Sequence, residues 1–309
     1  MESTANKSIT AAIDLGSNSF RLLIAGIDGG DISVQVNRLE TVRLGKGLAT
    51  SGKIPPEIMN RGLDVLASFK IDLAHHNIER TRCCGTQALR QAGNAHAFLD
   101  KAESLLGTKI EIIGGHEEAA LNCKGVLAGL DKDTLPPFLV IDVGGGSTEI
   151  AYLQTASSSP QTISIPLGAV SWSEISETSR ARNFIDSQVL ALQDFLDSIG
   201  ITPGKTRIIG SGGTATALAT LALGLDRYDS EKVQGHFLEL KHLDEIAGNL
   251  SPMSLAERNL LPGLEQGRGD IIMAGLEIYQ EILATIEVEG MIISDFGLLE
   301  GILLSSLEQ

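Results

Sequence analysis

One motif that occurs twice constrains this chain more than any other feature. Ile13-Asp14-Leu15-Gly16-Ser17-Asn18-Ser19 and Ile141-Asp142-Val143-Gly144-Gly145-Gly146-Ser147 share the pattern Ile-Asp-x-Gly-x-x-Ser at an offset of 128 residues. In each copy an apolar run, Ser8 to Asp14 or Phe138 to Asp142, ends on the aspartate and turns through small residues. It then returns as a second run, Phe20 to Gly26 or Glu149 to Leu153. This is the pattern of a β-hairpin, and its repetition at the spacing of a domain implies an internal duplication.

Helical periodicity follows each hairpin, in Pro56 to Ala74, Ala95 to Leu106, Glu117 to Leu130, Ile185 to Ile199, Thr214 to Leu223, His242 to Leu250, Asp270 to Ile286 and Gly297 to Leu307. Strand-like runs alternate with these helices, among them Ile32 to Leu39, Arg80 to Cys84, Lys109 to Ile113, Gln161 to Leu167, Thr206 to Ile209 and Gly290 to Ser294. Hairpins followed by alternating strands and helices, twice over, predict two α/β domains with mixed sheets. The expected division is residues 1–127 and 128–309, with the last helix, 297–309, expected to pack back on the first domain. Charge and paired prolines place the linker in Leu130 to Pro137. The Ser/Thr-rich stretch Thr155 to Gln161 reads as an exposed hairpin tip.

A length of 309 residues, 43% of them hydrophobic, is enough for two cores. Runs such as Phe138 to Ile141 fall far short of the roughly 20 residues a membrane helix needs, and the start MESTANKS has no apolar secretory core. The expectation is a cytoplasmic protein with no membrane partner. Three cysteines, Cys83, Cys84 and Cys123, form neither a Cys-x-x-Cys pair nor an even disulfide set, so buried reduced thiols are expected. Charge is uneven. The first 127 residues hold 14 Lys+Arg and 14 Asp+Glu, leaving 10 and 25 for the rest, so the second half carries the whole net charge of -15. An acidic half repels polyanions at long range, which excludes nucleic acid wrapped around the molecule. A phosphate-bearing ligand must be held by local donors.

The hairpin turns supply such donors. Each places an aspartate at a strand end, followed by small residues whose backbone N–H groups can close on an anion. A single Asp-x-Gly turn is often only a tight turn. Two copies facing one another across a cleft would supply donors from both sides of a phosphate while Asp14 and Asp142 approach a bound Mg²⁺. A third glycine loop, Gly210-Ser211-Gly212-Gly213-Thr214, follows a strand and opens an alanine-rich helix. Its N-terminus is either an anion site or a helix start capped by Ser211 or Thr214. It lacks the lysine of the Gly-x4-Gly-Lys-Ser/Thr loop, which excludes that class of nucleotide hydrolase.

IDLGSNSFRLLI, VRLGKGL, GTQALRQAGN, GGHEEA, IDVGGGSTEI, PLGAV, GSGGTATALA, LPGLEQGRGDIIMAG and DFGLLEGIL, in that order, resemble the successive signatures of the exopolyphosphatase and guanosine pentaphosphate phosphatase family, from Ile9 to Leu304. Longer members carry further helical domains, so the chain is similar to the short form of that family. The resemblance implies a duplicated actin-like (ribonuclease H-like) α/β fold with a cleft between the domains. It also implies hydrolysis of terminal phosphoanhydride bonds in inorganic polyphosphate or in guanosine pentaphosphate. Mg²⁺ is the implied cofactor, a monovalent cation such as K⁺ is an optional second one, and a homodimer is the implied assembly.

Carried over residue by residue, the resemblance makes Glu118 the general base that activates water, with Asp142 and Glu149 as its catalytic companions and Asp14, Asp142 and Glu149 as the metal set. Phosphate binding falls to Gly16, Ser17, Asn18 and Ser19 of the first turn, to Gly144, Gly145, Gly146, Ser147 and Thr148 of the second, to Gly212 and Gly213 of the third, and to Arg90. Without the resemblance, Glu118 would read as half of a solvated pair with Glu117 and Arg90 as a surface charge. Arg43 and Lys46 are the other local cations of the neutral half, and Asp270 reads as a helix-start carboxylate. One departure stands out. The family commonly has Asp-x-Gly-x-Arg-Glu-Gly near its end, and here Leu299 stands where the arginine would be. Two other classes fit the duplicated loops, an actin-like ATP-dependent kinase or chaperone and a silent phosphate or nucleotide sensor. The absence of a sugar-binding segment argues against the first, and intact Glu118, Asp142 and Glu149 against the second.

Overall fold

The computed structural model describes residues 8–28, 31–131, 134–176, 181–201 and 204–308. The first seven residues of the expected leading domain and residues 132 and 133 of the expected linker lie outside them.

The first half builds β1 (Ser8–Leu15), β2 (Ser19–Asp28), β3 (Asp31–Thr41), α1 (Leu48–Ser51), α2 (Pro56–Ala74), β4 (Arg80–Gly85), α3 (Gln87–Gln91), α4 (Ala95–Leu106), β5 (Ile110–Ile112) and α5 (Gly115–Gly129). The second half builds β6 (Phe138–Val143), β7 (Thr148–Leu153), β8 (Gln161–Ile165), α6 (Ala169–Ile175), α7 (Ala181–Ile199), β9 (Arg207–Ser211), α8 (Gly212–Ala222), α9 (Ser230–Val233), β10 (Phe237–Glu239), α10 (Leu240–Leu250), α11 (Leu255–Arg258), α12 (Ile272–Ile286), β11 (Gly290–Ile293) and α13 (Leu298–Ser305).

The sheets run β3-β2-β1-β4-β5 and β8-β7-β6-β9-β11-β10. In both, an antiparallel three-stranded meander is extended by two parallel strands; β10 adds an antiparallel edge to the second. The duplication inferred from the hairpins is therefore a duplication of whole sheets, and the architecture is the expected pair of actin-like α/β domains. Short apolar strands buried on both faces explain the first strand of each copy: Ala11, Ala12, Ile13 and Leu15 are fully buried, as are Leu139, Val140, Ile141 and Val143.

The helices cross between the sheets. α5, which begins before the expected division, lays Ala119, Cys123 and Val126 on Phe138, Val140, Ala151 and Ile209 of the second sheet. In return α13, the last helix, lays Leu299, Ile302 and Leu303 on Ala12, Leu23, Ala25 and Cys84 of the first. The two helices meet backbone to backbone through glycine: a side-chain carbon at Gly125 would lie 1.8 Å from Gly297 O, and one at Gly301 would lie 1.8 Å from Leu121 O. Arg82 fixes α13 from below, donating to Ser305 Oγ at 2.7 Å while it pairs with Glu111 and Glu117 at 2.8 Å each. Leu299, in the position where the family commonly has arginine, is fully buried in this contact and packs rather than pairs. All three cysteines are free and buried, and among the described residues no helix is long and apolar enough to cross a membrane.

Candidate active site

The two turns close in the same way, Gly16 N donating to Ser19 O at 3.1 Å and Gly144 N to Ser147 O at 2.9 Å. They also touch. A side-chain carbon at Gly145 would lie 3.0 Å from Asn18 N and 3.2 Å from Ser17 Cβ, and one at Gly146 would lie 2.7 Å from Ser17 Oγ. Side chains in the first turn thus require bare backbone in the second. Around this contact is a cavity of about 100 Å³ between the sheets. Of the residues expected at the site, Asp14, Gly16 to Ser19, Glu118, Asp142, Gly144 to Ser147, Glu149, Gly212 and Gly213 all line it.

Arg90 and Thr148 do not. Facing residues of an antiparallel pair share one side of a sheet. Asp142 faces Glu149 and Val143 faces Thr148, so Thr148 turns to the side opposite Glu149. Its hydroxyl donates to Leu167 O at 2.6 Å, and the expected phosphate contact from this side chain is replaced by a bond that ties β7 to the following loop. Arg90 lies behind Glu118. Its Nη1 donates to Glu118 Oε2 at 2.6 Å and to Ile113 O at 2.8 Å, its Nε and Nη2 both donate to Gln87 Oε1, and Nη2 stands 4.0 Å from Glu149 Oε1. The guanidinium orients carboxylates in this arrangement.

α5 separates the two glutamates that the sequence leaves adjacent. Glu117 faces outward to Arg82, whereas Glu118 is buried at the cavity. Burial pushes the Glu118 carboxyl above its usual range, and Arg90 opposes that rise through its charge and its hydrogen bond. Glu149, buried on β7, is pushed well up by burial and by Glu118, against the hydrogen bonds from Ser147 and Ser164; Ser164 Oγ donates to its Oε1 at 2.7 Å. Burial lifts both Asp14 and Asp142 to about 7.

The third loop is not capped by its own hydroxyls. Thr214 Oγ1 donates to Val143 O at 2.7 Å, and Ser211 Oγ exchanges hydrogen bonds with the Asn122 amide. The start of α8 is instead occupied from the cleft: a side-chain carbon at Gly212 (φ +78°) would lie 2.2 Å from Asp142 Oδ1. Only a glycine allows that approach at that backbone angle, and the helix N-terminus favours the carboxylate.

Two charged cavity residues are absent from the sequence-derived set. Arg21 faces Asp14 in register on β2. Burial opposes its charge, but Glu300, Asp14, Asp295 and Asp142 around it prevail and hold it cationic. Arg268 is buried, with Nε on Glu265 Oε2 at 2.6 Å and its terminal nitrogens over Gly213. Both arginines also line a second cavity of about 620 Å³, walled by β3, α8 and the segment around Gly263 and Glu265.

A divalent ion fits this donor set. Asp14 Oδ1 is buried without a partner, and a cluster of buried carboxylates is costly without a cation. No three His, Cys, Asp or Glu side chains among the described residues form a closed metal cage. Mg²⁺ needs none, since it takes one or two carboxylates and completes its shell with water and substrate phosphates.

Two glycine turns, a helix N-terminus and a buried carboxylate pointed into one cleft are the parts of a phosphoryl-transfer enzyme, in which catalysis is positioning and charge stabilisation. Comparison with known proteins makes this specific. The model of the Ppx/GppA phosphatase family matches residues 23–309. Exopolyphosphatase 2 of Mycobacterium tuberculosis is 30% identical over 317 residues, covering 96% of this chain and 97% of its own. A guanosine-5'-triphosphate,3'-diphosphate pyrophosphatase of Photobacterium profundum is 32% identical over 316 residues; the match takes in 97% of this chain but only 60% of that relative's length. Among solved structures, the Aquifex aeolicus PPX-GPPA enzyme aligns with a TM-score of 0.77 at 29% identity, over 96% of this chain and 99% of that one. An exopolyphosphatase from Cytophaga hutchinsonii aligns with a TM-score of 0.86 at 25% identity, over 97% and 98%. This chain belongs to the Ppx/GppA phosphatase family, whose members hydrolyse phosphoanhydride bonds.

Proposed function

We propose that this chain is a cytoplasmic exopolyphosphatase that hydrolyses the terminal phosphoanhydride bond of inorganic polyphosphate and releases orthophosphate. The observation that carries the reading is Glu118, a buried carboxylate gripped by Arg90 at the edge of a cavity whose other walls are two glycine turns. The terminal phosphate lies between Gly16–Ser19 and Gly144–Ser147, whose N–H groups receive its oxygens. Glu118 accepts a proton from water. The water oxygen forms the new P–O bond as the bridging P–O bond breaks, and the leaving phosphate carries away the bond electrons. Arg90 keeps the Glu118 oxygen aimed, and Ser164 does the same for Glu149. If Mg²⁺ is the cofactor, one or two of the carboxylates Asp14, Asp142 and Glu149 would hold it, and it would offset the charge of the phosphate oxygens.

The 620 Å³ cavity favours a second reading, guanosine pentaphosphate as substrate. Its walls mix apolar Ile32, Val34, Ala217 and Phe296 with Glu265, Asp295 and Glu300 beside Arg21 and Arg268, a lining that suits a nucleoside bearing phosphates. The two share one experiment. Phosphate release from tripolyphosphate, long polyphosphate, guanosine pentaphosphate and ATP is measured in parallel with Mg²⁺. Activity on the polyphosphates supports the main reading, a kcat/KM confined to the guanine nucleotide supports the second, and no release from any of the four overturns both.

A further inference from the structure

The segment that carries Arg268 is gripped from the opposite lobe. Arg43, in the loop after β3, places Nη1 2.8 Å from Asp270 Oδ2 and Nη2 2.9 Å from Asp270 Oδ1, and Nη2 also donates to Gly267 O. The fork therefore holds both ends of the four-residue stretch 267–270, with Arg268 between them. The grip itself is anchored to the first glycine turn. Val42 N and Arg43 N both donate to Asn18 O, at 3.0 and 2.6 Å, and Gly45 N donates to Ser17 O at 2.8 Å. Arg43 has φ +61°, a left-handed conformation that a side-chain-bearing residue holds only where its surroundings enforce it. Close by, Gly47 N donates to Glu174 Oε1 of α6 at 2.6 Å, a second tie between the same loop and the second lobe. Lys46, by contrast, is exposed.

We propose that Arg43 is a positioning residue: it couples the first phosphate turn to the 267–270 segment and so fixes Arg268 over Gly213, where the two cavities share their lining. The role expected of Arg43 as a cation free for phosphate is thereby replaced. Its guanidinium is spent on Asp270 and Gly267, and the charge delivered to the cavity is that of Arg268. A bidentate fork suits this task, because it fixes orientation as well as distance. Small displacements of a binding group propagate strongly to a reaction centre.

The inference rests on the phosphohydrolase reading, and the two fail differently. That reading is tested by wild-type turnover; the role of Arg43 is tested by tripolyphosphate affinity, measured by calorimetry without turnover, together with KM and kcat. Arg43→Ala is expected to weaken tripolyphosphate binding and raise KM about 10-fold, with a smaller change in kcat. Asp270→Asn, which keeps shape and loses charge, shifts affinity in the same direction by less and carries the test if Arg43→Ala does not fold. The decisive measurement is the double variant. If Arg43 acts through Arg268, adding Arg43→Ala to Arg268→Ala changes affinity by less than about twofold. Wild-type affinity and KM in both Arg43→Ala and Asp270→Asn would overturn the proposal, as would the full Arg43→Ala penalty persisting without Arg268.

Discussion

The β1–β2 and β6–β7 hairpins have the same register and the same turn hydrogen bond, yet they differ at two places that matter. At the turn, Ser17-Asn18 in the first copy corresponds to Gly145-Gly146 in the second, and because the turns touch, the side chains of one occupy the space the glycines leave. On the return strand, Arg21 faces Asp14 where Glu149 faces Asp142. The duplicated scaffold thus sets an arginine–aspartate pair on one wall of the cavity and a glutamate–aspartate pair on the other. Symmetry of backbone gives donors on both sides of the cavity; asymmetry of side chains gives a cation on one side and a second carboxylate on the other. The proposed base belongs to neither hairpin, since Glu118 comes from α5, the helix that crosses between the lobes.

The largest effect should therefore come from outside the comparison. Glu118→Gln keeps the shape and the contact with Arg90 but cannot accept a proton, so kcat should fall about 100-fold or more while tripolyphosphate affinity stays near wild type. Steady-state kinetics beside calorimetry decides it, and wild-type turnover in the variant would remove Glu118 from its role. Next comes a direct attack on the fit between the turns. Gly145→Val places its first carbon 3.0 Å from Asn18 N, so the two turns must separate. Overpacking of this kind costs about 1–3 kcal/mol, and KM should rise with it. A wild-type KM would mean that the turns need not touch during catalysis.

Much of this was legible in the sequence. The hairpins and both Asp-x-Gly turns are local signals, fixed by where small residues follow a buried strand, and α2 and α4 begin and end at their predicted residues because their apolar period is unbroken. Short elements escaped: α3, α6 and β10 have 5, 7 and 3 residues, too few to display a period. Arg21 and Arg268 escaped for another reason. A lone arginine in a strand or loop carries no pattern, although placing the two copies side by side sets Arg21 opposite Glu149 and would have exposed it. Thr148 was misplaced because a loop motif read as a unit ignores the alternation of a strand.

A pH experiment sharpens the comparison of the two aspartates. Each is lifted by burial from 3.8 to about 7. A carboxyl with a raised folded pKa favours the native state fully below the unfolded value and loses that advantage as pH rises through the folded value. In EDTA, stability should fall between about pH 4 and pH 7, by on the order of 4 kcal/mol per carboxylate. Asp14→Asn and Asp142→Asn should each flatten part of that slope in thermal melts. If only one does, the two walls are not electrostatically equivalent.

The smallest effect is expected from making the first turn resemble the second. Ser17→Gly leaves the backbone hydrogen bond of the turn intact and opens space beside Gly146 instead of filling it. What it removes is the acceptor for Ala88 N, 3.2 Å from Ser17 Oγ at the start of α3. One neutral hydrogen bond contributes about 0.5–1.5 kcal/mol, so the melting temperature should drop by only about 1–4 °C for a chain of this size. KM for tripolyphosphate should change by less than about threefold, because the turn would still offer its N–H groups to the phosphate. A 10-fold rise in KM without loss of stability would instead place the Ser17 hydroxyl on the substrate. The mild outcome, set against the damage from Gly145→Val, would establish that the cradle tolerates loss of a side chain on one wall and does not tolerate gain of one on the other.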